Sequence, residues 1–503
     1  MNLPAHLDRL RREIRGYAVD YGLDFFEVVF EVLDYDRMNE VAAYGGYPTR
    51  YPHWRFGMEY EHLSKSYAHG LHRIYEMVIN NNPCYAYLLE ENAAVDQKIV
   101  MAHVYGHSDF FKNNVSFSKT NRKMIDEMAN HATRVRRFME KHSVEVVEDF
   151  IDACLSLEGL IDPHSPFIVR ERPREDASEE DTDDSLPRRL RSKDYMSDFI
   201  NPPSFMEEQQ RKIDEEKLRA RRFPEEPARD VLKFLMENAP IENWQRDVLN
   251  IIRDEAYYFA PQGQTKIMNE GWATYWHSTI MTQKALTDAE VVDYADHHSG
   301  TVAGHGGRIN PYKLGLELYK DIEDRWNKGK FGKEYDDCED LRARKEWNKS
   351  LGLGREKLFE VRRLHNDVTF IDAFLTEDFA IEHKYFTYGY NRKSNQYQIS
   401  SRDFKAIKSQ LLFQLTNHGQ PFVYVTEANY RNRGEIFLHH RHEGIDLKID
   451  WARETLRNIE KMWQRPVHLE TSVEGKGKVL SFDGKDHTEA DSSDVSAADT
   501  GAR

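Results

Sequence analysis

Residues 84–111 read CYAYLLEENAAVDQKIVMAHVYGHSDFF. The first part of this stretch, 84–91, is dense in Tyr, Ala and Leu. It follows the turn signal Asn80-Asn81-Asn82-Pro83, so a short strand is predicted there. From about Val95 to Phe111 the pattern predicts a helix. On that helix His103 and His107 stand four residues apart, on one face and about one turn from each other. Two imidazoles so placed suit a single metal ion. The alternative is a pair of core histidines satisfied by hydrogen bonds, because HxxxH recurs by chance in a chain with 22 histidines. In zincin-type metalloproteases an edge strand precedes the metal helix, and 84–91 is positioned to be that strand.

Downstream, Met268-Asn269-Glu270-Gly271-Trp272 lies in a second helical stretch. A carboxylate from Glu270 added to two histidines gives the three-ligand, one-open-position pattern of catalytic zinc. The competing role for Glu270 is an acid complementing a helix dipole. His277 is seven residues further on, two turns away. That is too far for the same ion, so it is predicted to orient a ligand or face a substrate. The general-base glutamate of gluzincins directly follows the first histidine, and here that position is Val104. Glu255, within IIRDEAYYF (251–259), is a substitute base, with Asp254 and Glu91 behind it; geometry rather than sequence order defines a base. Trp272 and Tyr275 are candidates to line a groove for sugar or peptide, although aromatics at helical spacing commonly serve a core. A third cluster, HHSGTVAGHGGRINP (297–311), is Gly-rich, which lets backbone amides approach an anion. His305 and Arg308 are its candidate anion-binding side chains, Arg308 as a bidentate clamp. A turn-rich connector is the bland alternative. Neither a Walker A nor a GxGxxG pattern is present.

The chain has 503 residues, enough for two or three domains. The first 370 residues are predicted to form a mostly helical domain holding the short zincin-like sheet, beginning with an amphipathic helix over 7–33. Within it, 171–192 is polar, charged and Pro-containing, and reads as a linker. The last third alternates differently. Strands over 379–390 and 395–401, a helix over 403–417 and a strand over 421–427 are followed by strands over 434–440 and 445–450, a helix over 451–463 and a strand over 466–472. This predicts a C-terminal α+β domain (371–484) of two tandem ββαβ units, with a disordered tail at 485–503. The fold class is α+β. A net charge of −16 removes the electrostatic drive for nucleic-acid binding. No apolar run is long enough for a transmembrane helix. The first residues carry no apolar signal core, and the three cysteines are scattered, so a reducing cytoplasm is expected.

Five segments carry a family resemblance: NNNPCYAYLLEEN (80–92), MAHVYGHSDFFKNN (101–114), IIRDEAYYFAPQ (251–262), KIMNEGWATYWH (266–277) and HSGTVAGHGGRINPYKLG (298–315). Together they resemble the stage V sporulation protein R (SpoVR) family. The resemblance implies a link to spore cortex formation, or to stationary-phase and stress physiology. It also implies partnership with a PrkA-type serine kinase and a von Willebrand A-like protein. The shared motifs fall on His103, His107, Glu255, Glu270, His277, His305 and Arg308, and no catalytic mechanism comes with them. Two functions follow as expectations. One is a metal-dependent hydrolase acting on a peptide or peptidoglycan-related amide. In it a divalent ion, zinc first and iron or manganese as alternatives, is held by His103, His107 and Glu270, while Glu255 or His277 handles protons. The other is a non-catalytic regulator or scaffold.

Overall fold

The computed structural model describes residues 3–68, 76–168, 202–220, 223–302, 309–391 and 396–493. Strand β3 (Cys84–Leu89) forms where its Tyr/Ala/Leu run predicts. It is not an edge strand. β1 (Val28–Leu33) pairs with it in parallel, from Val28↔Cys84 to Leu33↔Leu89, and β2 (Glu76–Ile79) pairs antiparallel on its other side. The reason is legible in the side chains: Ala86, Tyr87, Leu88 and Leu89 are all buried, and such a strand needs cover on both faces. The helix predicted over 7–33 ends early, at Asp20. Gly22 adopts a left-handed φ of +92° just beyond it, and the β-branched Val28-Val29 that follows enters β1.

The helix Ala94–Asn113 follows β3, and every residue from Gln97 to Phe111 is buried. A helix apolar all round is a core helix. Helices Ala5–Asp20, Lys266–Ile280, Pro311–Lys328, Gly354–Leu364 and Asp367–Phe374 share that core.

The chain divides into two compact units that interleave. One holds Met1–Glu148 and Tyr257–Gln420, the other Asp149–Ala256 and Pro421–Arg503. A sequential division at 370 does not describe them. Ile371, Phe374, Leu375, Phe379 and Leu411 are buried in the core of the first unit, so 371–420 stays with it. In the second unit Ala228 bridges Val425, Asn458 Nδ2 donates to Ser156 Oγ at 2.9 Å, and Trp463 packs near Phe234.

The tandem ββαβ pair does not form. Among the described residues β4 (Thr387–Asn391) and β5 (Gln396–Ser401) pair only with each other. β5 is exposed along nearly its whole length, so this hairpin is not part of the buried C-terminal sheet. β6 (Phe422–Tyr430), β7 (Glu435–Arg441), β8 (Val467–Val473), β9 (Lys476–Phe482) and β10 (His487–Asp491) form one sheet in the order β10-β9-β8-β7-β6. β7 and β8 are parallel, and helix Ile449–Trp463 lies between them in sequence. β10 falls inside the tail expected to be disordered from 485; it pairs antiparallel with β9 from His487↔Phe482 to Asp491↔Lys478. The expected linker at 171–192 and the last ten residues lie outside the described residues. The fold is mixed α+β, mostly helical, with small sheets and a C-terminal sheet unit. Among the described residues no helix is long and apolar enough to cross a membrane.

Candidate metal centre

Two close helix crossings bring the candidate ligands together. A Cβ on Gly106 would stand 2.7 Å from the Ala273 Cα, and one on Gly271 would stand 2.4 Å from the Gly315 Cα. Only glycine permits backbones this close. The histidine helix Ala94–Asn113 and the Pro311–Lys328 helix therefore both press against the Lys266–Ile280 helix.

As a result His103, His107 and Glu270 converge, with their ligand atoms all within 4.8 Å of one another. Glu270 Oε2 lies 3.7 Å from His103 Nε2 and 3.5 Å from His107 Nε2. These separations exceed a hydrogen bond. They fit the edges of a coordination shell, since ligands about 2.1 Å from a tetrahedral ion stand about 3.4 Å apart. The donor set, two neutral imidazoles and one carboxylate, therefore fits a divalent ion with an open position.

The far sides of the imidazoles are also engaged. His107 Nδ1 is 2.8 Å from Asn269 Oδ1, an acceptor, so Nδ1 carries the proton and Nε2 presents its lone pair toward Glu270. His103 Nδ1 is 2.8 Å from His277 Nδ1, and His277 Nε2 is 3.4 Å from His298 Nδ1. A chain of three imidazoles thus runs away from the centre. Burial, followed by the charges of neighbouring histidines, holds the His277 pKa well below the usual imidazole value, so this ring stays neutral. For Glu270, burial alone would raise the pKa. The close approach of His103 and His107 outweighs it and keeps the carboxylate ionised.

Two buried carboxylates fix the helices that carry the trio. Asp109, on the histidine helix, accepts from Trp272 Nε1 and from the Asp24 amide, each at 2.8 Å, and stands 3.4 Å from Arg362 Nη1. Burial lifts its pKa to about 6 despite these partners. Asp367 accepts from the amides of Ile267 at 2.8 Å and Met268 at 2.9 Å, and so caps the helix that carries Glu270. Burial lifts its pKa to about 7.

The remaining predicted site residues are placed unevenly. Trp272 is fully buried among Trp276, Tyr319 and Phe359, a core position rather than a groove wall. Tyr275 lines a cavity, and its hydroxyl donates to Glu323 at 2.6 Å. His277 touches His103 through their Nδ1 atoms, 2.8 Å apart. Glu255 is buried on helix Asn243–Gln264 and belongs to the second unit, whereas the trio belongs to the first. Val104, at the position of the gluzincin base, is fully buried. His305 and Arg308 lie outside the described residues. Asn269, Asp109, Asp367 and His298 escaped the sequence reading. Asn269 had a signal, its place beside Glu270; Asp367 had none, being 100 residues from the amide it caps.

Comparison with known proteins agrees with this arrangement of segments. The family described as SpoVR like protein matches residues 2–420, and the SpoVR-like C-terminal domain matches residues 421–474. The junction between them is the junction Gln420/Pro421 of the two compact units. The uncharacterized protein YcgB of Escherichia coli (strain K12) is 30% identical over 499 residues, covering 93% of this chain and 92% of its own. No solved structure matches the chain. With both family matches in register and a relative aligned almost end to end, the chain belongs to the SpoVR family.

Proposed function

We propose that the chain is a metal-dependent hydrolase of peptide or peptidoglycan-related amides, with a divalent ion, zinc first, held by His103, His107 and Glu270. The observation that carries this reading is the sharing of one buried carboxylate oxygen by two imidazoles whose other nitrogens are already engaged. An ion so held would polarise an amide carbonyl as a Lewis acid. The protein's own part is orientation. Asn269 fixes the His107 tautomer and His277 fixes the His103 ring. The test is elemental mass spectrometry on untagged protein beside a His103→Ala/His107→Ala variant. About one metal per chain, lost in the variant, supports the reading; equal metal in both, or none in either, sinks it.

A second reading rests on Val104. An aliphatic side chain, fully buried, occupies the position of the usual base, which favours a regulator or scaffold working with a PrkA-type kinase and a von Willebrand A-like protein. Capture of those partners by the full chain, undiminished in the double histidine variant, would support it.

A further inference from the structure

Near the outer end of the imidazole chain lies a cavity of about 390 Å³. One wall is a single face of the Lys266–Ile280 helix and its continuation, where Tyr275, Ser278, Thr279 and Thr282 recur at spacings of three and four. Ser278 and Thr279 hydroxyls donate to the Tyr275 carbonyl at 2.9 and 2.8 Å, and Thr282 donates to the Ser278 carbonyl at 2.7 Å. With those protons committed, the three hydroxyls offer acceptor lone pairs.

The opposite chemistry comes from Lys320 and Arg355, which also line the cavity. Among the described residues neither forms an ion pair. Arg355 lies against two rings, its guanidinium carbon 5.1 Å from the centroid of Trp276 and 5.6 Å from that of Tyr21. A guanidinium packed beside rings keeps N–H donors for bidentate contact with a carboxylate. The third charged group, Glu323, accepts from the Tyr275 hydroxyl. Two cations and one carboxylate leave one net positive charge. The two cations suit a carboxylate, Glu323 suits an ammonium or amide N–H beside it, and Glu323 repels a phosphate dianion. Acceptors on one wall and cationic donors on the other match a molecule with N–H groups and one carboxylate.

We propose that this cavity binds the carboxylate end of an amino acid or short peptide, with Lys320 and Arg355 on the carboxylate and with Glu323 and the helix hydroxyls on its N–H groups. His298 lines the same cavity, and His277 connects it to His103. Binding here needs no ion at His103, His107 and Glu270, so it stands or falls apart from the metal reading.

The test is calorimetric titration of the full chain with the dipeptide alanylalanine, with its C-terminal amide, and with inorganic phosphate. The dipeptide is expected to bind, with the amide weaker by about tenfold or more, as loss of a charge-assisted contact implies. Lys320→Ala removes an exposed side chain and leaves the fold intact. It is expected to weaken the dipeptide by a similar factor, and Arg355→Lys, which keeps the charge but not the fork, by somewhat less. Chelator-treated protein is expected to bind as well as untreated protein. No dipeptide binding, equal binding of acid and amide, or indifference to Lys320→Ala at an unchanged melting temperature would overturn the proposal. So would tighter binding of phosphate than of dipeptide, which would make the cavity a phosphate site, or loss of dipeptide binding on chelation, which would put the carboxylate on the ion.

Discussion

Both compact units set histidines beside carboxylates, and they do so in opposite ways. In the C-terminal sheet unit three histidines each have an acid of their own: His439 with Glu470 at 3.1 Å, His442 with Asp446 at 2.8 Å, His468 with Glu435 at 3.0 Å. These are ordinary ion-pair or hydrogen-bond contacts, two of them well exposed. In the helical unit two buried histidines share one carboxylate oxygen at longer range, and both are held from behind. The difference shows that counting histidines near acids does not find a site. Sharing, burial and support from behind distinguish a candidate ligand set from surface pairs.

The sharpest way to break this comparison is to remove a supporting acid in one unit and a paired acid in the other. Asp109→Ala leaves Arg362 and the Trp272 indole without their buried acceptor. It is expected to cost about 3–5 kcal/mol, the usual penalty for stranding a buried charge. Glu470→Ala deletes a partly exposed pair and is expected to cost about 1 kcal/mol or less. Urea unfolding of both variants checks the contrast; equal losses would mean that the helical unit is no more tightly specified than the sheet.

A glycine pair within the helical unit tests whether close helix crossing holds the trio. Gly271→Ala drives a methyl to within 2.4 Å of Gly315 and is expected to destabilise by about 3 kcal/mol or to prevent folding. Gly300→Ala meets nothing within 4 Å and is expected to be neutral or slightly stabilising. Thermal melts of the two variants decide the matter. If Gly271→Ala melts like the wild type, the close helix crossing does not hold the trio together.

These contrasts also mark what the sequence could reveal. His103 and His107 are legible because one helical period separates them, and Glu270 because it lies in a second strongly patterned helix. Asp367 and Asp109 act through contacts 100 and 163 residues away, and no local pattern encodes such contacts. Trp272 misleads for the same reason: helical spacing cannot say which side of a helix meets the core. The tandem ββαβ reading failed because strand propensity in 396–401 says nothing about which sheet a strand joins. The interleaved units were hidden because segments far apart in sequence share each core.

A smaller effect sharpens the role of support from behind. Asn269→Ala removes the acceptor that sets the His107 tautomer. If the trio holds an ion, metal affinity should fall by about 10–100-fold, as losses of such partners do elsewhere. His442→Ala, in the sheet unit, should leave metal affinity unchanged. Competition with a chelator of known affinity reads both. An Asn269→Ala variant that keeps wild-type affinity would reduce the asparagine to packing.

The last contrast concerns pH. Burial raises Asp367 to about 7, from 3.8 in an open chain, so the folded protein binds its proton more tightly than the unfolded chain does. Stability from this group is therefore fully present below about pH 4 and falls as pH rises toward 7, by at most about 1.4 kcal/mol per pH unit. This is opposite to the usual paired carboxylate, such as the exposed Asp446, whose pKa is lowered by the Glu474 amide and His442. Asp367→Asn keeps an acceptor for the Ile267 or Met268 amide and cannot titrate. Relative to this variant, the wild type should gain stability steadily between pH 7 and pH 5 and show no further change from pH 8 to 9. Asp109 titrates in both proteins and cancels in the difference. Urea unfolding at each pH gives that difference. A constant difference across the range would mean that the two helix amides hold Asp367 ionised, and that the cap on the Glu270 helix is a charge rather than a protonated acid.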